Sequence, residues 1–167
     1  PMSLHLLDGG HKVTVLKSSA AAEALSARGA TLVSTPKEVA EQSDVVITCL
    51  PDSPEVEKIV LSENGVVEGI SPGNLFIDMS TIAPATALKL NGILSQKGVE
   101  VLDAPVSGGE GGAKSASLSV MAGGTQSAFD RALPILQLMG KNIVRVGEAG
   151  SGQVTKACNQ IVVGMTI

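Results

Sequence analysis

The stretch Gly150-Ser151-Gly152-Gln153-Val154-Thr155-Lys156-Ala157-Cys158-Asn159-Gln160 carries the densest chemistry in the chain. Lys156, Asn159 and Gln160 stand at i, i+3 and i+4, so a helix puts all three on one face. The run that follows, Ile161 to Ile167, is apolar except for Gly164 and Thr166, which favours burial. An amine taken out of water titrates below its usual value and becomes fit for proton transfer. The competing reading is a lysine snorkelling on an amphipathic helix; the neighbouring amide and the apolar flank put proton transfer ahead.

Three further clusters follow apolar runs. Asp103-Ala104-Pro105-Val106-Ser107-Gly108-Gly109 ends in successive glycines, whose backbone N–H groups can turn toward an anion. A carboxylate would fit Ser107, Gly108 and Gly109, although an ordinary flexible turn has the same spacing. Leu50-Pro51-Asp52 and Asp78-Met79-Ser80-Thr81 form the next pair. Ser80 and Thr81 can donate hydrogen bonds to a ligand, or cap the helix that opens at Pro84. Lys17-Ser18-Ser19 is the last.

The elements that must position these residues alternate. Helices are expected over Pro1–Leu7, Ser19–Arg28, Ser53–Leu61, Pro84–Lys97 and Phe129–Met139, and from Gly152 to Ile167. Another opens at Thr35-Pro36-Lys37-Glu38, which has capping-box spacing with proline at the first helical position. Strands are expected over Val13–Leu16, Thr31–Val33, Asp44–Leu50, Leu75–Met79, Val99–Asp103, Leu118–Ala122 and Ile143–Val146. A turn is expected at Asn64-Gly65 and a glycine-rich loop over Ser107–Gly112. This alternation predicts an α/β fold with a doubly wound, mostly parallel sheet. Its ligand should lie outside the C-terminal ends of the strands, where the clusters above fall.

In such a fold a dinucleotide's phosphates rest on a G-x-G-x-x-G turn between the first strand and first helix. Here the first helix begins at residue 1 and Gly9-Gly10 ends it, so that strand and turn are expected upstream. An acidic residue after the second strand would hold a bare adenosine ribose. Lys17 stands there, and a cation suits a 2′-phosphate, which leans toward NADP over NAD. A solvated lysine at a strand end fits equally well.

The 167 residues suffice for one domain with a sizeable core. The net charge is -4 and no stretch concentrates Lys or Arg, which argues against nucleic acid and anionic membrane as partners. There is no Trp or Tyr, and Phe76 and Phe129 are the two aromatic residues. An aliphatic core suits a parallel sheet covered on both faces, and no tyrosine can serve as proton donor beside a lysine. Cys49 and Cys158 are expected as buried free thiols in a reducing compartment, not as a disulfide or metal pair. No metal site is expected. No apolar run reaches the length of a membrane span and no signal peptide is visible, so the expected location is cytoplasmic.

Several segments resemble the β-hydroxyacid dehydrogenases, which include 3-hydroxyisobutyrate dehydrogenase and tartronate semialdehyde (2-hydroxy-3-oxopropionate) reductase. They are DVVITCLPDSPEV (residues 44–56), IDMSTIAP (77–84), DAPVSGGEGGAKSASLSVMAGG (103–124) and GSGQVTKACNQ (150–160). The resemblance implies a Rossmann-like NAD(P)-binding domain over residues 1–149, without its first strand. It also implies the start of an interdomain helix over 150–167, leading to a helical domain used for dimerisation, so a homo-oligomer is expected of the full-length protein. It makes Lys156 the catalytic proton donor and Asn159 a substrate-binding residue. Ser107, Gly108 and Gly109 would hold the substrate carboxylate, Ser80 and Thr81 would lie near the nicotinamide, and Leu50 and Pro51 would line the cofactor.

There are departures. Ala116-Ser117 replaces the family's usual Gly-Thr, and Ser18 stands where many NADP-using relatives carry Arg. Gln160 replaces a second Asn common in the 3-hydroxyisobutyrate dehydrogenases. That change, the NGVVEG stretch and Glu110 favour the reductase. A decarboxylating phosphogluconate-type enzyme would place a His just ahead of the Lys, where Gln153-Val154-Thr155 stands. A non-catalytic nucleotide-binding scaffold is the remaining alternative, and retention of Lys156 speaks against it.

Overall fold

Apolar runs and capping residues set out an alternating chain in the computed structural model, which describes residues 1–166. Ile167, the expected end of the closing helix, lies outside the described residues. In the first half the elements are α1 (Met2–Asp8), β1 (Thr14–Leu16), α2 (Ala22–Ser26), β2 (Thr31–Val33), α3 (Pro36–Glu41), β3 (Val45–Thr48), α4 (Ser53–Leu61), α5 (Val66–Gly69) and β4 (Leu75–Asp78). They continue as α6 (Pro84–Gln96), β5 (Glu100–Asp103), β6 (Val106–Ser107), α7 (Gly109–Lys114), β7 (Leu118–Gly124), α8 (Gln126–Leu136), β8 (Gly140–Gly147) and α9 (Ser151–Thr166). The capping box at α3 forms as expected: Thr35 accepts from the Glu38 N–H while the Glu38 carboxylate accepts from the Thr35 N–H.

The sheet comes in two pieces. β1 and β2 pair in parallel as a ribbon, and a six-stranded sheet runs β3-β4-β5-β7-β6, with β8 on the other side of β7. β3, β4 and β5 are parallel, β7 is antiparallel to β5 and β6, and β8 is parallel to β7. Thr14 and Val15 of β1 face Val46 and Ile47 of β3 across a cleft bordered by Leu6 of α1. This is the Rossmann-like, mostly parallel sheet expected, without a strand between β1 and β3.

Helices cover both faces. On one side Phe76 and Val46 pack with Val56 and Val60 of α4 and with Leu90 and Leu94 of α6. On the other, Leu75, Ile77 and Leu102 pack with Phe129, Ala132 and Leu136 of α8. Each fully buried Leu contributes about 1.5–3 kcal/mol by leaving water. The register aligns Thr48, Asp78 and Asp103 across β3, β4 and β5, so three polar side chains form one rung at the C-terminal strand ends.

Several expectations need correction. Ser107–Gly112 is not a loop: Ser107 pairs with Ser119 in β6, and the following glycines open α7. α2 spans only Ala22–Ser26, and no side chain caps its start. α8 begins three residues before Phe129, where Thr125 accepts from the Ala128 N–H. A short helix, α5, follows the Asn64-Gly65 turn. Both cysteines are exposed: Cys49 lies just past β3, which among the described residues pairs on one edge only, and Cys158 faces outward on α9. Ile161, Val162 and Met165 are likewise exposed, contrary to the burial expected of that run.

Candidate active site

The helix that carries Lys156 is seated by a carboxylate. Helix N-termini present N–H groups with no intrahelical acceptor, and Asp103, the last residue of β5, supplies two oxygens to them. Its Oδ1 accepts from the Gly150 N–H at 2.7 Å and its Oδ2 from the Gln153 N–H at 3.0 Å. Burial pushes the Asp103 carboxyl up to about 6, against the N–H bonds from Gly150 and Gln153, which favour its charged form. The approach is close enough to require glycine. A Cβ on Gly152 would press on the Met121 carbonyl and stand 2.5 Å from the Asp103 carbonyl oxygen. One on Gly123 would stand 2.6 Å from Asp103 Oδ1.

So seated, α9 turns Lys156 inward, leaving it 6% exposed. Its Nζ donates to Gln160 Oε1 at 2.9 Å, and Asn159 Nδ2 reaches the same oxygen at 3.5 Å. Burial lowers the Lys156 pKa from its ordinary value. One turn earlier, the buried Gln153 side chain spans to the loop after β4. Its Oε1 accepts from the Ile82 N–H at 3.1 Å and its Nε2 donates to the Ser80 carbonyl at 2.8 Å.

From Ser80 the network continues to the loop after β3. Ser80 Oγ accepts from the Leu50 N–H at 2.9 Å, and the Ser80 N–H donates to Asp78 Oδ1 at 3.1 Å. Thr48 Oγ1 donates to the same Asp78 oxygen at 2.9 Å. Asp78 Oδ2 is buried without a hydrogen-bond partner among the described residues, and burial pushes this carboxyl up as well.

Thus α9 carries two bonded groups, Lys156 and Asn159 on Gln160, and, one turn earlier, Gln153 on the Ser80–Leu50 loops. Pro51 and Thr81 lie exposed on those loops. Neither Ser80 nor Thr81 caps α6, whose N-cap is Ala83. Ser107 is half-buried on β6, while Gly108 and Gly109 form an exposed turn at φ 132° and 59°. No hydrogen bond joins that turn to Lys156 among the described residues. Lys17 stands apart at the end of β1, where its exposed Nζ donates to Ser34 Oγ at 3.2 Å. Asp103 and Gln153 were not singled out from sequence. Their signal was an acid closing an apolar strand and an amide three residues before Lys156 on the inward stripe of its helix.

The residues beyond β1 and β3 fit a nucleotide. A cleft of about 450 Å³ runs between β1 and β3, walled by Thr14, Val15, Val46 and Ile47, and past the strand ends its rim carries the apolar Leu16 and Leu50 and the hydroxyl residues Ser18 and Ser19. Apolar walls with a few polar groups suit a flat base and a ribose. Residues 1–147 match the family model for the NAD-binding domain of 6-phosphogluconate dehydrogenase. The chain belongs to that family. Within it, the resemblance to the β-hydroxyacid dehydrogenases holds over nearly every residue. The 2-hydroxy-3-oxopropionate reductase of Escherichia coli is 40% identical over 167 residues, 100% of this chain and 57% of that protein. The 3-hydroxyisobutyrate dehydrogenase of Pseudomonas aeruginosa is 41% identical over 99% of this chain and 56% of its own length. The structure of Mycobacterium tuberculosis 3-hydroxyisobutyrate dehydrogenase with L-serine superposes with a TM-score of 0.91 at 38% identity, covering 98% of this chain and 55% of that one. The chain therefore spans a little over half the length of the relatives it matches. No helix among the described residues is long and apolar enough to cross a membrane.

Proposed function

We propose that the complete protein is an NAD(P)-dependent oxidoreductase acting on a small β-hydroxy acid or its semialdehyde, with 2-hydroxy-3-oxopropionate as the favoured substrate. The observation that carries this reading is Lys156, 6% exposed and turned inward on a helix that is itself bonded to the loops where a nicotinamide cofactor is expected. A nicotinamide held by these loops would supply the hydride exchanged with the substrate's aldehyde carbon. Lys156 gives the proton that the carbonyl oxygen then needs. Lys156 donates to Gln160 Oε1, which holds the amine in place while leaving it protons to transfer. Asn159 orients the substrate beside it, and the N–H groups of Gly108 and Gly109, with Ser107, take the carboxylate. Ser80, Thr81, Leu50 and Pro51 form the wall against the nicotinamide.

Gln160, in place of a second asparagine, supports the reductase over 3-hydroxyisobutyrate dehydrogenase. Lys17 beside Ser18 and Ser19 supports NADP over NAD, by matching a cation to a 2′-phosphate. Residues 1–149 form the cofactor domain in this reading. Residues 150–167 begin an interdomain helix, which the exposed Val154, Ile161 and Met165 support as a packing surface. The test is oxidation of NADPH and NADH by the complete protein, with 2-hydroxy-3-oxopropionate and with the semialdehyde of 3-hydroxyisobutyrate. Turnover is expected with both, faster with the former and with NADPH. Cofactor binding without turnover of either would instead indicate a scaffold.

A further inference from the structure

The proposed reaction needs two groups in register: an amine that moves a proton and a ring that moves hydride. In this fold they sit on different elements, Lys156 on α9 and the expected ring wall on the Leu50–Pro51 and Ser80–Thr81 loops. The Gln153 side chain hydrogen-bonds one to the other. Gln153 is 1% exposed, and its carboxamide bonds the backbone on both sides of Thr81, at the Ser80 carbonyl and the Ile82 N–H. Its own N–H is held by Asp103 Oδ2.

We propose that Gln153, seated by Asp103, is a positioning residue that sets the Lys156 ammonium against the Ser80–Ile82 loop, and so sets the proton donor against the hydride path. This rests on the reading of Lys156 as proton donor. Gln153 lies one helical turn before Lys156 on the inward face, so a tilt or slip of α9 at Gln153 carries directly to the amine. Reacting atoms are sensitive to such slips: a misplacement of about 1 Å can lower turnover by about 10²-fold. The carboxamide accepts from Ile82 and donates to Ser80 at once, which an aliphatic or thioether side chain of the same size cannot reproduce. Ser80 relays the same constraint to the Leu50 N–H through its Oγ, so both loops of the ring wall are referenced to α9.

A residue that only held the fold together would lower the melting temperature and leave turnover of the folded enzyme intact. The test is steady-state kinetics on the complete protein with Gln153→Ala, Gln153→Met, Lys156→Ala and Gln153→Ala/Lys156→Ala, each checked for folding by circular dichroism. Gln153→Met is nearly isosteric but has no donor for the Ser80 carbonyl and only a weak thioether acceptor for Ile82, so it carries the test if the alanine variant does not fold. Expected for either Gln153 variant is a kcat lowered about tenfold or more, with the KM for the nicotinamide cofactor within about twofold of the parent. Because Gln153 acts through the amine, the double variant should be no slower than Lys156→Ala alone. Normal kcat in the folded Gln153 variants, or a double variant slowed by the product of the single effects, overturns the proposal while leaving Lys156 as proton donor. Near-normal kcat in Lys156→Ala overturns the proton-donor reading itself, and this proposal with it.

Discussion

Two buried ionisable residues, Lys156 and Asp103, are displaced in opposite directions, and each displacement has a measurable sign. Reduction of a carbonyl needs Lys156 as ammonium, and burial lowers its pKa. The rate should therefore fall as pH rises through a value below the ordinary lysine range. A plot of kcat/KM against pH for the complete protein should show that basic limb. Lys156→Ala should lose the limb together with about 10²-fold in kcat; a limb that persists in the variant would assign it to another group. Asp103 titrates at about 6 in the folded chain, above its unfolded value. Between those two values the folded state binds more protons than the unfolded one, so stability at this site is greatest in acid and falls as pH rises through about 6. Asp78 is pushed the same way, so the useful quantity is the difference between parent and Asp103→Asn. Urea unfolding at a series of pH values from 4 to 7 should show the parent losing stability relative to the variant as pH rises. An unchanging difference would mean that Asp103 titrates like a solvated carboxylate.

At the scale of elements, the seat of α9 is built from what is missing at Gly152. A methyl group there meets the Met121 carbonyl, the Asp103 carbonyl at 2.5 Å and Asp103 Oδ2 at 2.8 Å, none of which is the free end of a flexible chain. Gly152→Ala should cost about 1–3 kcal/mol by overpacking and should depress kcat by lifting the helix. Gly92, on the exposed face of α6, has nothing within 4 Å of an added Cβ. Gly92→Ala should gain about 0.5–1 kcal/mol from helix propensity alone. Thermal unfolding of the two variants separates the effects, and similar shifts in both would mean that α9 does not rest on Gly152. The same elements explain what the sequence allowed to be read. Strands β3, β4 and β5 were legible because DVVIT, LFID and EVLD are short apolar runs between clear stops, and α3 because its capping box is written in Thr35 and Glu38. The pairing of Ser107 with Ser119 was not, because it joins residues twelve apart through a glycine-rich turn that looks like a loop. Nor was the outward face of Cys158, since an apolar helix does not state in its own sequence which side its neighbours will cover.

For the molecule as a whole, what was legible was an order of elements, and what was not was their contacts across the sheet. Lys156 could be chosen from its neighbours along the helix. Asp103 and Gln153 acquire their roles only when β5, β4 and α9 converge, at separations of 47 to 73 residues along the chain. The same long-range view exposes the break between β1 and β3. Among the described residues β1 pairs only with β2 and β3 only with β4, so each presents an unpaired edge to the cleft between them. A pyrophosphate is bound in such folds by backbone N–H groups of a glycine-rich turn at a helix N-terminus, and no G-x-G-x-x-G occurs among these 167 residues. Lys156 cannot replace that cradle, because its helix packs on β5, β7 and β8, away from the cleft. The 167 residues by themselves should therefore bind NADPH weakly in titration calorimetry and show no turnover, and amides of Thr14–Leu16 should exchange with solvent faster than those of Leu75–Asp78. A polypeptide extended ahead of Pro1 by a strand and a glycine turn should tighten binding and slow exchange in both β1 and β3. A dissociation constant below about 1 μM for the 167 residues alone, corresponding to about 8 kcal/mol, would mean that the cofactor does not depend on a strand in that cleft.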